Sequence, residues 1–237
     1  MTLFSNIKRL SILNDLSHLV YPNHCLVCKN ELSKNESHIC SFCQSDLTRT
    51  SFQLYKEATS MDKLFWGRIP IYKTYAHLFF EKDKASQTIL FNLKYRNNPQ
   101  LGIYFGKEIG KVLQTINDFH SVDAYIPVPL HPKKAFIRGY NQSQVLTQGI
   151  CEQLDVKMDT TTIVRTKHSE TQTKKSRFQR WDNVNEIFKV KNTILSYKHI
   201  VLVDDVITTG STIESIAQTL LKKNPKLSIS VVTLAIA

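Results

Sequence analysis

The sequence predicts an α/β fold, a parallel sheet flanked by helices, with a small cysteine module near the N-terminal end. Three observations carry this reading. From Val122 onward, short apolar strands alternate with amphipathic helices. The run Ile200–Val203 is continuously apolar, as a strand covered on both faces must be. Four of the five cysteines fall before residue 44, in two Cys-x-x-Cys pairs.

The elements follow in chain order. Leu3, Phe4, Ile7, Leu10, Leu13, Leu16 and Val20 are spread at helical spacing and interrupted by Lys8, Arg9 and Asp15. This is an amphipathic helix rather than a signal peptide. It packs on its own domain or lies on a membrane surface or partner. The cysteine segment runs from Tyr21 to about Leu47. Cys25, Cys28, Cys40 and Cys43 have knuckle spacing, and four thiolates suit a closed tetrahedral Zn²⁺ site of structural type. His24 and His38 flank it as neighbours, since four sulfurs fill the shell. Thr48–Gly67 is poorly periodic and reads as a connection. Ile69–Phe80 reads as one or two strands, Lys84–Tyr95 as a helix, and a second helix begins after Asn98-Pro99. Asp123–Val128 is a strand ended by prolines. A helix follows at Asn141–Leu154 with Cys151 on its apolar stripe, as a buried residue rather than a nucleophile. A strand at Thr161–Thr166, a basic stretch at Lys167–Asp182, and strands at Ile187–Val190 and His199–Asp204 come next. The chain closes with a helix, Ser211–Lys223, and a strand, Ser228–Ile236. This divides the chain into residues 1–47, the helix and knuckle, and residues 48–237, the α/β domain.

Lys and Arg number 31 against 20 Asp and Glu, a net charge of +11. That balance favours polyanionic partners: nucleic acid, phosphorylated small molecules or anionic lipid. No apolar run approaches the roughly 18–20 residues that span a bilayer. The apolar fraction of 42% excludes global disorder.

The chemistry concentrates in Val201–Thr212. The strand ends in two carboxylates, Asp204 and Asp205. The following loop carries Thr208, Thr209, Gly210, Ser211 and Thr212, and then an amphipathic helix starts. Open α/β sheets bind ligands at this edge. The unpaired N–H groups of a helix start, joined by hydroxyl donors, cradle a phosphate. Gly210 permits close approach and positive φ. Two adjacent acids repel a phosphate, but they accept hydrogen bonds from a diol or help hold Mg²⁺. Together these suggest a phosphorylated sugar. The Gly-Lys-Ser/Thr of a nucleotide P-loop is absent.

This segment resembles the phosphoribosyl pyrophosphate (PRPP) motif of type I phosphoribosyltransferases. The resemblance implies that Asp204 and Asp205 hold ribose hydroxyls, that Thr208–Thr212 hold the 5-phosphate, and that Mg²⁺ accompanies PRPP. Thr208 stands where purine-salvage enzymes often carry an acid, and so looks more like the orotate enzymes. Further blocks resemble the ComF family, proteins associated with DNA uptake in natural competence. They are Lys94-Tyr95-Arg96, Ile126–Lys134, Arg138–Gln142, the Arg165…Gln172…Arg177…Asn183 pattern and the cysteine cluster. Within them, Lys133, Lys134 and Arg138 are placed to neutralise pyrophosphate. The stretch with Lys174, Lys175 and Arg177, interleaved by Phe178 and Trp181, sits where related enzymes have a mobile catalytic loop. The same composition suits single-stranded DNA, and the knuckle is a second candidate for that role. The expected function is a ComF-like competence protein with a sugar-phosphate site, handling transforming single-stranded DNA. The alternative is an active phosphoribosyltransferase with an unidentified acceptor base. The expected place is the cytoplasm, or the cytoplasmic side of the membrane-bound uptake machinery beside other competence proteins.

Overall fold

The computed structural model describes residues 22–166 and 187–237. The N-terminal amphipathic helix and the basic stretch with Lys174, Lys175, Arg177, Phe178 and Trp181 lie outside the described residues. The strands are β1 (Lys73–Phe79), β2 (Ala124–Pro127), β3 (Ile163–Arg165), β4 (Phe188–Val190), β5 (His199–Ile207) and β6 (Ser228–Ile236). The helices are α1 (Ser41–Ser45), α2 (Ser60–Lys63), α3 (Ala85–Tyr95), α4 (Pro99–Leu113), α5 (Pro132–Arg138), α6 (Gln142–Leu154) and α7 (Ser211–Lys223).

The main sheet is parallel throughout, in the order β1-β6-β5-β2. β5 and β6 lie at its centre, and Ile200, Val201, Leu202 and Val203 are fully buried. Burial of each such side chain contributes about 1.5–3 kcal/mol, which is why the strand is unbroken Val, Ile and Leu. Asp123 joins the lower ends of β2 and β5 by accepting from the N–H groups of Lys198 and His199, at 2.6 and 2.8 Å. Helix α6 lies on β2 and β5, and α4 packs across α6. The crossing depends on two glycines, Gly106 and Gly149, whose Cα atoms face the opposite helix backbone. A Cβ on either would collide with a carbonyl oxygen, of Leu146 or of Ile103. Asn98 caps α4 by accepting from Leu101 N–H, with Pro99 in the first turn as the sequence indicates.

Several parts of the chain differ from the sequence reading. The connection Thr48–Gly67 is packed structure rather than a linker. Residues 48–50 lie along β1, with Phe79 N–H bonded to Thr48 O at 2.9 Å, and so cover that edge of the sheet. Phe52, Met61 and Phe65 from this segment are core residues. The short strands β3 and β4 do not join the parallel sheet. They pair antiparallel as a separate ribbon, Ile163 opposite Val190 and Arg165 opposite Phe188. Finally, β5 does not end at the acid pair. It runs on to Ile207, because β6 continues beside it and supplies partners at Ala235 and Ile236.

Candidate functional site

The two carboxylates stand inside the last turn of pleat of β5. Successive residues of a strand face opposite sides, so Asp204 and Asp205 take different partners. Asp204 Oδ1 accepts from Ser143 Oγ on α6 at 2.8 Å and from the Asp205 N–H at 2.9 Å. Asp205 Oδ2 is 3.3 Å from Lys94 Nζ at the end of α3, and its Oδ1 accepts from Val206 N–H at 2.7 Å. Burial, followed by the adjacent Asp205 charge, raises the Asp204 carboxyl to about 7. Thr233, the β6 partner of Asp204, is buried, and its hydroxyl has no partner among the described residues. Two adjacent carboxylates, one partnered by a hydroxyl and the other by an ammonium, are acceptors whose chemistry fits diol hydroxyls or a hard cation such as Mg²⁺.

Beyond Ile207 the chain turns through Thr208 and Thr209 into α7. A concavity is lined by Asp204, Val206 and the loop Thr208–Thr212. Gly210 is the residue before α7 and adopts φ 73°. A Cβ there would also lie 2.9 Å from the Phe65 ring, so both the backbone angle and the packing demand glycine. Thr208, Thr209, Ser211 and Thr212 are exposed around the concavity. The Arg68 guanidinium holds the loop from outside, donating to Thr209 O and Leu64 O, each at 2.8 Å, and pairing with Glu214.

The pyrophosphate candidates enter from the same sheet edge. Val128, just past β2, bonds Val203 O at 2.9 Å, one residue before Asp204. Lys133 and Lys134 are exposed on α5, a short helix to which the sequence reading assigned no element. Arg138 donates to Gln142 Oε1 at 2.8 Å and lies over the Tyr95 ring at 5.4 Å. Asn141 fixes the approach: its side chain donates to Val128 O at 2.9 Å and caps α6 through the Ser143 N–H. Thr166 N–H bonds Ile187 O at 2.9 Å, so the two ends of the stretch carrying Lys174 and Lys175 are joined.

The four cysteines converge as their spacing implied. The sulfurs of Cys25, Cys28, Cys40 and Cys43 lie within 4.8 Å of one another and can hold a metal ion. Cys28 and Cys40 sulfurs are 3.6 Å apart, against about 3.8 Å for the edge of a tetrahedral Zn–thiolate site. The Cys40 and Cys43 N–H groups point at sulfurs, each at 3.4 Å. Burial pushes the Cys25 thiol up, yet the N–H groups of Cys40, Cys28 and Val27 outweigh it and bring it to about 6. His38 is a neighbour rather than a ligand, with its ring against Tyr104 at 5.6 Å. Cys151 is buried on α6, and burial raises its thiol to about 12, as befits a core residue.

Sequence reasoning missed the supporting residues. Lys94 stood in a quoted block without a role, and Ser143 follows Asn141-Gln142 immediately. Phe65 and Arg68 carry no local signal, since Arg68 is 141 positions from the Thr209 it holds.

Residues 141–236 match the phosphoribosyl transferase domain family. Most of the chain is similar to three curated proteins. DNA utilization protein YhgH of Shigella flexneri is 28% identical over 224 residues, 86% of this chain and 93% of that protein. Competence protein F of Haemophilus influenzae is 26% identical over 214 residues, 84% and 90% of the two chains. Competence protein ComFC of Bacillus subtilis is 28% identical over 216 residues, 89% and 82%. The resemblance to ComF proteins therefore extends over most of the chain.

Proposed function

We propose that this chain, with its phosphoribosyl transferase domain, is a ComF-like competence protein that binds PRPP or a related ribose 5-phosphate and handles transforming single-stranded DNA. The observation that carries the sugar-phosphate reading is the adjacency in β5 and α7. A partnered acid pair sits directly before a glycine-hinged hydroxyl loop at the start of a 13-residue helix. Asp204 and Asp205 accept from the ribose hydroxyls. Thr208, Thr209, Gly210, Ser211 and Thr212 take the 5-phosphate through hydroxyl and N–H donors. Lys133, Lys134 and Arg138 face the pyrophosphate, joined by Lys174 and Lys175. Mg²⁺, when bound with PRPP, neutralises phosphate charge beside the acid pair. Zn²⁺ is the metal that suits Cys25, Cys28, Cys40 and Cys43, and its role there is structural. The names of the relatives and the net charge of +11 support DNA handling. Among the described residues no helix is long and apolar enough to cross a membrane. A role in handling incoming single-stranded DNA is suited by the cytoplasm, or by the cytoplasmic side of the membrane-bound uptake machinery.

Titration calorimetry with ribose 5-phosphate and 2-deoxyribose 5-phosphate tests the site. Loss of one hydroxyl bonded to a carboxylate costs about 1.5–3 kcal/mol, so the deoxy sugar is expected to bind roughly 10–100-fold more weakly. Equal affinities would remove the diol role of the acid pair. The second reading, an active transferase, is favoured by the domain match over residues 141–236. In it, stabilisation of departing pyrophosphate by Arg138 and the lysines is the main catalytic contribution. Pyrophosphate release from PRPP in the presence of one nucleobase but not others would establish it.

A further inference from the structure

The outward face of α3 lies beside the sugar-phosphate site but has no part in it, and its composition is unusual for a solvated helix face. Ile89, Leu90 and Leu93 supply the buried stripe. Phe91 and Tyr95, four residues apart and therefore neighbours on the helix surface, stand 48% and 59% exposed. Their rings are 5.2 Å apart. Each ring has a guanidinium against it: Arg96 lies 5.8 Å from the Phe91 centroid and Arg138 lies 5.4 Å from that of Tyr95. Arg138 comes from a different helix and is fixed in place by Gln142.

The result is an exposed aromatic pair flanked by two guanidinium groups, one of them held by Gln142. That is the chemistry that takes unpaired bases on a phosphate backbone. Rings and guanidinium planes stack with bases, and the charges neutralise phosphates. Duplex DNA hides its base faces and gains only the charge term. The surface also abuts the acid pair. Lys94, on the same turns of α3, reaches Asp205, and Gln142, which holds Arg138, precedes the Ser143 that donates to Asp204.

We propose that Phe91, Tyr95, Arg96 and Arg138 form a stacking platform for the bases of single-stranded DNA that flanks the sugar-phosphate site and meets its pyrophosphate end at Arg138. This rests on the DNA-handling reading above and gives it a location. Deoxyribose lacks the 2′-hydroxyl that the acid pair reads, so the strand and the sugar phosphate occupy different places.

The test uses the full, metal-loaded chain and fluorescence anisotropy with oligo(dT) of about 20 nucleotides, an abasic oligomer of equal length, and a duplex. The double variant Phe91→Leu/Tyr95→Leu keeps apolar bulk and charge, and its melting curve checks the fold. Stacking is worth about 1–3 kcal/mol per base, so affinity for oligo(dT) is expected to fall about tenfold or more. Affinity for the abasic oligomer and the duplex should stay within about twofold, with an unchanged salt slope. Arg138→Gln should weaken all three and reduce the salt slope by about one. Saturating ribose 5-phosphate should leave oligo(dT) bound.

An equal loss for oligo(dT) and the abasic oligomer, or no loss for either, would overturn the platform. So would displacement of oligo(dT) by ribose 5-phosphate. If the leucine variant instead turns a wild-type dimer into a monomer while oligo(dT) binding persists, the face is an interface between two copies and the proposal falls. If the wild type binds no oligo(dT) even at low salt, the DNA-handling reading itself fails and the platform fails with it.

Discussion

Asp204 sits in an environment that its sequence neighbours do not imply. Burial and the adjacent Asp205 hold its carboxyl near 7 in the ligand-free protein, above the ordinary value of about 3.9. Folding therefore favours the protonated form. The stability this contributes is complete below about pH 4 and is lost as the pH rises toward 7. Asp204→Asn removes the titration. Calorimetric unfolding of the ligand-free variant is expected to be less dependent on pH between about 4 and 7. At pH 8 the variant should be more stable than the wild type, read as a higher melting temperature. The same substitution should weaken ribose 5-phosphate binding. A site that is less stable without its ligand and lost when relaxed is the signature of a functional group rather than of a structural acid. The pair Asp204-Asp205 was legible from sequence because two acids after an apolar run have no packing explanation. Ser143 and Lys94, which hold the pair, were not, because their roles come from helices that meet the strand only in three dimensions.

Among the elements, the turn from β5 into α7 is the most constrained. Gly210 combines a left-handed φ of 73° with a Phe65 ring 2.9 Å from where a Cβ would stand. Gly210→Ala should lower stability by about 1–3 kcal/mol and weaken phosphate binding, measured by unfolding and by ribose 5-phosphate titration. Arg68→Ala leaves the backbone angle intact but frees Thr209. It should weaken the same ligand with a smaller effect on the melting temperature. The helices α3, α4, α6 and α7 and the central strand β6 were legible in the sequence within a residue or two, as was the start of β5. The acid pair's place in β5 was harder to read, because carboxylates look like a strand end, whereas ladder bonds to β6 carry the strand through them. The β3–β4 ribbon was misread as part of the alternation, since three-residue strands carry too little pattern to tell a separate antiparallel pair from a sheet member. Helix α5 was missed for a similar reason: seven residues with no buried side chain have no apolar stripe to show.

At the scale of the molecule, the knuckle and the α/β domain share contacts. His38 stacks edge-on against Tyr104 of α4, and Cys25, Cys40, Cys43, Leu32 and Ile39 are buried. Stripping the metal with a strong chelator is therefore expected to lower the melting temperature by several degrees. Ribose 5-phosphate binding should persist, since the acid pair and the loop draw no ligand from the knuckle. The cluster itself was plain in the sequence from its two pairs, whereas the packed segment 48–67 was not. Its buried residues serve β1 and the Thr209 loop rather than any local period. In the proposed function, the carboxyl end of β5 and the start of α7 bind PRPP. The most direct test is calorimetric titration of PRPP with Mg²⁺ into the wild type and the Asp204→Asn/Asp205→Asn variant, both shown to be folded and metal-loaded. Saturable binding by the wild type and a loss of at least about 100-fold in the variant are expected. Equal binding by the two proteins, or none by the wild type, would contradict the proposed function.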